Sequence, residues 1–207
     1  MDIGIIGAGN IGSALAKQFA KAGHRVAIAN SRGPETLAGL VESLPGDVRA
    51  TDAAGAADFG EVVVETVPLK NVGELPADGL AGKVVIDTAN YYPGRDGEID
   101  FGGRSSSAWV AEQLGGPVVV KAFNTIYAQR LADDDRADLP VEDRLVIPIA
   151  GDDERAKATV AKLVEEIGFG PLDTGSLADS VNQEPDTPIY GNMVTLREAR
   201  ELLGPRT

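Results

Sequence analysis

The stretch Met1-Asp2-Ile3-Gly4-Ile5-Ile6-Gly7-Ala8-Gly9-Asn10-Ile11-Gly12-Ser13, continued through an Ala-rich segment to Arg25-Val26-Ala27-Ile28-Ala29-Asn30-Ser31-Arg32, decides the fold. Asp2 to Ile6 is a short apolar run that reads as a strand, Ser13 to Ala22 reads as a helix, and Arg25 to Ala29 reads as a second strand. Between the first strand and the helix lies a G-x-G-x-x-G element, and that setting gives an otherwise weak motif its weight. Gly7 allows a tight turn, Gly9 admits a pyrophosphate close to the backbone, and Gly12 lets helix pack on strand. The first turn of the helix, from Asn10 and Ile11 onward, offers unpaired N–H groups and the positive end of its dipole to phosphates. The pattern predicts a dinucleotide site; the competing reading is a glycine turn without a ligand.

The end of the second strand selects the dinucleotide. NAD-binding versions place an Asp or Glu there, about twenty residues past the loop, on the ribose 2′-OH. This chain has Asn30-Ser31-Arg32 and no carboxylate. A carboxylate would repel a 2′-phosphate, whereas Ser31 can donate to it and Arg32 can pair with it while stacking on adenine. NADP(H) is therefore expected over NAD(H), the alternative being that Arg32 is a solvated residue before the Gly33-Pro34 turn.

The 207 residues suffice for one substantial core but not for a large second domain. No apolar run approaches the length of a bilayer span, and Met1 passes directly into a strand, so a cytoplasmic location is expected. With no cysteine, disulfides and thiolate chemistry are excluded; a single histidine argues against a dedicated metal site. A formal net charge of −13 disfavours nucleic acid and anionic membrane surfaces as partners.

Along the chain, a helix is predicted from Pro34 to Leu44, a minimal strand from Val48 to Ala50, and an Ala-rich helix capped by Thr51 or Asp52. Strands follow at Glu61 to Val67, Lys83 to Asp87 and Val118 to Ala122, with a helical turn at Asn71 to Leu75 and a helix at Ser105 to Leu114. The run Asp133-Asp134-Asp135 reads as an exposed acidic segment rather than a metal site. Leu145 to Ala150 and Phe169 to Asp173 read as strands around a helix ending at Ile167; Ser176 to Val181 and Met193 to Leu203 look helical. The alternation predicts an α/β, Rossmann-type doubly wound, mostly parallel sheet with a short C-terminal helical tail. One domain is expected over residues 1 to 207, with its core at 1 to 177 and a helical extension at 178 to 207.

Several segments in fixed order resemble the NADPH-dependent deazaflavin (coenzyme F-420) reductase family. They are the glycine loop, Ala29-Asn30-Ser31-Arg32, Thr66-Val67-Pro68, Val85-Ile86-Asp87-Thr88-Ala89-Asn90, Val120-Lys121-Ala122-Phe123-Asn124-Thr125 and Asp173-Thr174-Gly175-Ser176-Leu177. The last two are also similar to the cytosolic oxidoreductase domain of the six-transmembrane metalloreductases, which pass electrons from NADPH to a flavin. The resemblance implies that Gly7, Gly9, Asn10, Ile11, Gly12, Ser31 and Arg32 hold NADP(H), that Thr66, Val67 and Pro68 lie under the ribose and nicotinamide, and that Asn71, Ala89, Asn90, Ala122 and Asn124 complete the site.

The implied activity is hydride transfer between NADP(H) and a second ring cofactor, a deazaflavin or flavin. Such a step needs little acid–base help from protein, because the cofactors carry the chemistry and the protein holds two rings in contact. His24 is expected in a surface turn at the wrong end of the sheet, and Lys121 lies within a strand, so no catalytic side chain is assigned. Small residues at Ala89, Ala122 and Thr125 suit a broad ring, or equally tight packing. The acceptor would rest on the nucleotide domain or in a cleft completed by a second subunit, with Val194, Leu196, Leu202 and Leu203 a candidate homodimer contact. Two other functions stay open: reduction of a small carbonyl or imine at a dimer interface, and a non-catalytic NADP(H)-binding sensor.

Overall fold

The structure, a computed structural model, describes residues 1 to 203. Eight strands form one sheet: β1 (Asp2–Ile6), β2 (Arg25–Ala29), β3 (Asp47–Thr51), β4 (Val62–Glu65), β5 (Val84–Asp87), β6 (Val118–Lys121), β7 (Val146–Gly151) and β8 (Gly170–Gly175). Their spatial order is β3-β2-β1-β4-β5-β6-β7-β8. The first six are parallel, with the order reversing between β1 and β4, the place where open sheets of this class bind ligands at their carboxyl ends.

The central strands read as nearly continuous apolar runs because both of their faces are covered. On one face Ile3, Ile5, Ile28, Val64, Ile86 and Val120 meet Leu15 and Phe19 of α1 (Asn10–Lys21). On the other, Ile6, Val63 and Val85 meet Ala56 and Ala57, and further along Val110 and Leu114. Burying one such Ile contributes about 1.5–3 kcal/mol. Gly4 is required there by packing: a Cβ would lie 2.0 Å from the Ala56 carbonyl oxygen.

The helices between strands are α2 (Ala38–Ser43), α3 (Ala53–Phe59), α4 (Ala77–Leu80), α5 (Pro93–Asp96), α6 (Ser106–Leu114), α7 (Ala128–Asp133) and α8 (Glu154–Glu166), with α9 (Leu196–Leu203) closing the described chain. Asp52 caps α3, Ser105 caps α6 and Asp153 caps α8, each accepting from a backbone N–H one turn on. The helix predicted from Pro34 is split, a 3-10 turn at Pro34–Leu37 preceding α2. The predicted helix at Met193 starts later, since Thr195 bridges to Leu145 and then forms a capping box with Glu198. Residues 204 to 207, the end of the predicted extension, lie outside the described residues.

The main topological surprise is at β7, which is antiparallel to β6 and pairs only Gly151 with Val120 and Ala150 with Lys121. Its remaining residues therefore continue past the carboxyl end of β6, and β8 follows them in parallel after the α8 crossover. Pro171 is tolerated because β8 is an edge strand. The acidic run at Asp133 to Asp135 belongs to the end of α7, where Lys17 reaches Asp133 at 3.0 Å and Lys21 reaches Asp135 at 2.8 Å. Gln18 of α1 is buried beside them and donates to the Leu131 and Ala132 carbonyls, which α7 leaves unpaired at its end. Among the described residues no helix is long and apolar enough to cross a membrane.

Candidate functional site: a dinucleotide groove joined to an aromatic cavity

The glycine loop is tighter than its sequence suggests, because α1 begins at Asn10 with Gly9 as its N-cap rather than at Ser13. Gly7 sits at φ 117°, in the region that favours glycine, and its Cβ would lie 2.3 Å from the Thr66 hydroxyl. A Cβ on Gly12 would lie 1.9 Å from the Gly7 carbonyl oxygen, so Gly12 serves helix–strand contact and is itself buried. Around Gly9 a Cβ would meet nothing within 4 Å. That open side faces two adjoining cavities, and an approaching pyrophosphate fits there. Thr66 donates to the Gly7 carbonyl at 2.7 Å and so fastens the loop to the end of β4.

The first cavity, of about 600 Å³, runs from Gly7, Ala8 and Gly9 to Asn30, Ser31 and Arg32, and along Thr66, Val67, Pro68, Asn71, Glu74 and Leu75. Asn30 shapes its far end. It accepts from the Arg32 N–H at 3.0 Å and donates to Thr36 at 2.9 Å, an Asx-type turn that presents Ser31 and Arg32. Arg32 is exposed and has no ion-pair partner among the described residues. A carboxylate that sequence reading did not place, Glu74, lines the same cavity and accepts from Asn71 at 3.1 Å.

The second cavity, of about 440 Å³, shares Gly9, Thr66, Val67 and Pro68 with the first and is therefore continuous with it. Asn10, Ile11, Ala89, Asn90 and Asn124 line it, along with Phe123 and the three tyrosines Tyr92, Tyr127 and Tyr190. The ends of β4, β5 and β6 thus open on one space, as the resemblance implies. Ala122 does not reach it: the residue is fully buried in the core on the α1 side, and Thr125 is buried too. The reason is the pleat of β6: the Ala122 N–H still bonds to the Asp87 carbonyl, so Ala122 shares the α1 face with Val120, and Phe123 then takes φ 62° and packs edge-on against Phe19 at 6.4 Å. For a bulky residue that conformation is a strained one.

Asn90 and Asn124 are engaged with each other. Asn90 donates to the Asn124 carbonyl at 2.8 Å, and the Asn124 amide donates to the Asn90 side chain at 3.0 Å and to the Gln183 carbonyl at 2.6 Å. Gln183, wholly buried, donates back to Asn124 at 3.1 Å and accepts from Thr174 at 2.8 Å. This network holds the segment after β8 over the strand ends, Gly191 adds a bond to the Thr125 carbonyl at 2.9 Å, and Tyr190 becomes a wall of the cavity. The chain supplies that wall itself. The Tyr190 hydroxyl meets that of Tyr92, and Arg95 lies over the Tyr92 ring at 5.1 Å from its centroid. Burial and the Tyr92 hydroxyl raise the Tyr190 phenol above its usual range.

Beneath the crevice lies a cluster that sequence reading missed. Glu65, Asp87 and Lys121 end β4, β5 and β6, are direct cross-strand partners, and have zero exposure. Lys121 is 3.2 Å from Asp87. Burial and the adjacent Asp87 push the Glu65 carboxyl well above the carboxylate range, while for Asp87 burial, which acts upward, is outweighed only by the Lys121 charge acting together with hydrogen bonds such as that from the Ala89 N–H, and its carboxyl is held low. A repeated pattern carried the signal: Val-Val-Val-Glu, Val-Val-Ile-Asp and Val-Val-Val-Lys each end an apolar run on a charge. His24 is at the amino end of β2, as expected, but it is no surface residue. It is 8% exposed, edge-on to Phe19 and 3.1 Å from Glu166, and burial lowers its pKa.

Residues 2–91 match the family described as NADP oxidoreductase coenzyme F420-dependent. Over 180 residues, 86% of the chain, the sequence is 33% identical to Metalloreductase STEAP3 of Rattus norvegicus, of which the match covers 34%. The chain spans about a third of the length of the curated relatives it matches. The crystal structure of hypothetical protein SMa0349 from Sinorhizobium meliloti is 35% identical, with a TM-score of 0.81 over 93% of this chain and 94% of that one. A protein from Arthrobacter sp. fb24, assigned provisionally as an F420-dependent NADP-reductase, is 25% identical with a TM-score of 0.72, covering 98% of this chain and 90% of that one. Residues 2–91 are thus a domain of the coenzyme F420-dependent NADP oxidoreductase family, on a Rossmann-like fold that nearly the whole chain shares with the Sinorhizobium protein.

Proposed function

We propose that the protein transfers a hydride between NADP(H) and a flat ring acceptor, a deazaflavin of the coenzyme F-420 type or a flavin. The observation that carries this reading is the second cavity, which continues from the dinucleotide groove and is walled by Tyr92, Tyr127 and Tyr190 over a floor at Ala89. When bound, NADP(H) supplies or takes the hydride at its nicotinamide ring. The chain's own residues do the rest. Gly9 and the α1 N-terminus receive the pyrophosphate, Ser31 and Arg32 meet the 2′-phosphate, and Val67, Pro68 and Ala89 flank the nicotinamide. The aromatic walls offer faces for stacking and exclude water, so positioning is the main contribution to rate. A compartment that supplies NADPH, the cytoplasm expected from the sequence, accords with this role. The name of the Arthrobacter protein supports an NADP-linked function and that of the rat metalloreductase a reductive one, and the acceptor is inferred from the cavity.

Rapid mixing of the protein and NADPH with a deazaflavin or a flavin, followed by absorbance of the acceptor ring, tests the proposal. Saturable reduction of one ring is the expected result, and no hydride transfer to either ring would refute it. One observation favours a second reading, reduction of a small carbonyl or imine: the paired Tyr92 and Tyr190 hydroxyls place a proton donor in the cavity. Tyr190→Phe separates the two. Ring reduction tolerates the change within about threefold, whereas a step that needs the phenolic proton loses about 10²–10⁴ in rate.

A further inference from the structure

The buried Glu65, Asp87 and Lys121 reach the cofactor crevice through backbone rather than side chain. Glu65 accepts from the Val67 N–H at 3.3 Å. Asp87 accepts from the Ala89 N–H at 2.8 Å, and Lys121 donates to the Ala89 carbonyl. Val67 and Ala89 are the residues that flank the crevice at the ends of β4 and β5. Ser107 of α6 is fully buried, and its hydroxyl has no hydrogen-bond partner among the described residues. Lys121 and Asp87 thus form an ion pair on this side of the sheet, and beside it stands the Glu65 carboxyl, whose pKa burial and Asp87 raise. An apolar trio would fill the same space without desolvating an ion pair, so the polar set calls for a role beyond packing.

We propose that Glu65, Asp87 and Lys121 act as a positioning clasp, fixing the backbone at Val67 and Ala89 and thereby the width of the slot that receives the nicotinamide ring. The inference rests on the NADP(H) placement given above. Because the adenosine end binds elsewhere, at Ser31 and Arg32, the clasp acts on one half of the cofactor only.

Titration of the full chain with NADPH and with 2′,5′-ADP, which carries only the adenosine end, reads this directly. Glu65→Leu and Lys121→Met are expected to weaken NADPH by about tenfold or more while 2′,5′-ADP stays within about twofold. Glu65→Gln, whose amide can still donate to Asp87, is expected to bind NADPH within about threefold of the parent. Parallel loss of both ligands, unchanged NADPH binding in Glu65→Leu, or a Gln variant as impaired as the Leu variant would each overturn the clasp. If Lys121→Met does not fold, the Gln–Leu comparison at Glu65 decides alone. A parent chain that binds 2′,5′-ADP but not NADPH overturns the proposed function and the clasp with it; tight parent binding with unaffected variants overturns the clasp only.

Discussion

Replacing Arg32 by Ala tests the cofactor preference where the structure gives it the fewest compensations. The guanidinium is exposed, lines the first cavity and has no carboxylate partner among the described residues. Its loss therefore disturbs no internal ion pair, and the effect on a 2′-phosphate is read without a folding penalty. A hydrogen bond to a charged group contributes about 1.5–3 kcal/mol. Solvent access favours the low end of that range, since exposed charges are screened. The expected loss is about 10- to 30-fold in NADPH affinity, with NADH changed by less than about twofold. The net charge of −13 adds direction to the argument: an anionic cofactor approaching an acidic chain depends on a few local cations. Calorimetric titration of parent and variant with both cofactors gives the ratio. Raising the salt to about 1 M, where the screening length is about 3 Å, should erode the parent's preference toward that of the variant. An unchanged ratio, or equal weakening of NADH, would refute the assignment of Arg32 to the 2′-phosphate.

Gly12→Ala is expected to prevent stable folding or lower the melting temperature steeply, because the new Cβ would sit 1.9 Å from the Gly7 carbonyl oxygen; a thermal scan checks it. Gln183→Ala leaves the buried Asn124 oxygen without its donor, while the Thr174 hydroxyl keeps the Ile149 carbonyl as acceptor, at a cost of about 1–3 kcal/mol, or several degrees in melting temperature. Binding of 2′,5′-ADP to that variant should be unaffected, as the network lies at the other cavity. Glu65 also makes a prediction about pH. Its folded pKa is raised, so between about pH 4.5 and that raised value the folded state holds a proton the unfolded state releases. Its stabilising contribution is complete below about pH 4.5 and is lost as pH rises, by up to about 1.4 kcal/mol per pH unit. Denaturant unfolding at several pH values should show Glu65→Gln gaining on the parent as pH rises, and a constant difference between the two would count against a protonated Glu65.

The dinucleotide end of the molecule was legible because it depends on backbone. Gly7 and Gly12 occupy places where a Cβ would collide with Thr66 or with the loop itself, and Gly9 borders open space, so residue type follows from chain geometry. Position along one short segment then predicts the site without any long-range information. Boundaries shifted where the local signal was weak: α1 starts at Asn10 because glycine as N-cap leaves no side-chain mark, and the Pro34 helix is split by a 3-10 turn. Ala122 was set by its place at the strand end, whereas the period-two pleat carries it with Val120 to the α1 face, away from the second cavity.

The second cavity was not legible for a different reason. Its walls come from Tyr92 after β5, Tyr127 after β6 and Tyr190 after β8, three segments without hydrophobic period that meet only when the Asn90–Asn124–Gln183 network closes. The same holds for Glu65, Asp87 and Lys121, which the register of three strands aligns and which local reading treats as three separate strand ends. This division carries a functional consequence. Cofactor binding is written into one segment whose backbone tolerates little change, whereas the second cavity is assembled from side chains on loops, and loops accept substitution more readily. Exchanges at Tyr92, Tyr127 and Tyr190 should therefore alter acceptor selectivity while leaving the affinity for 2′,5′-ADP intact, and Tyr127, 61% exposed at the rim, is the one whose change costs the fold least.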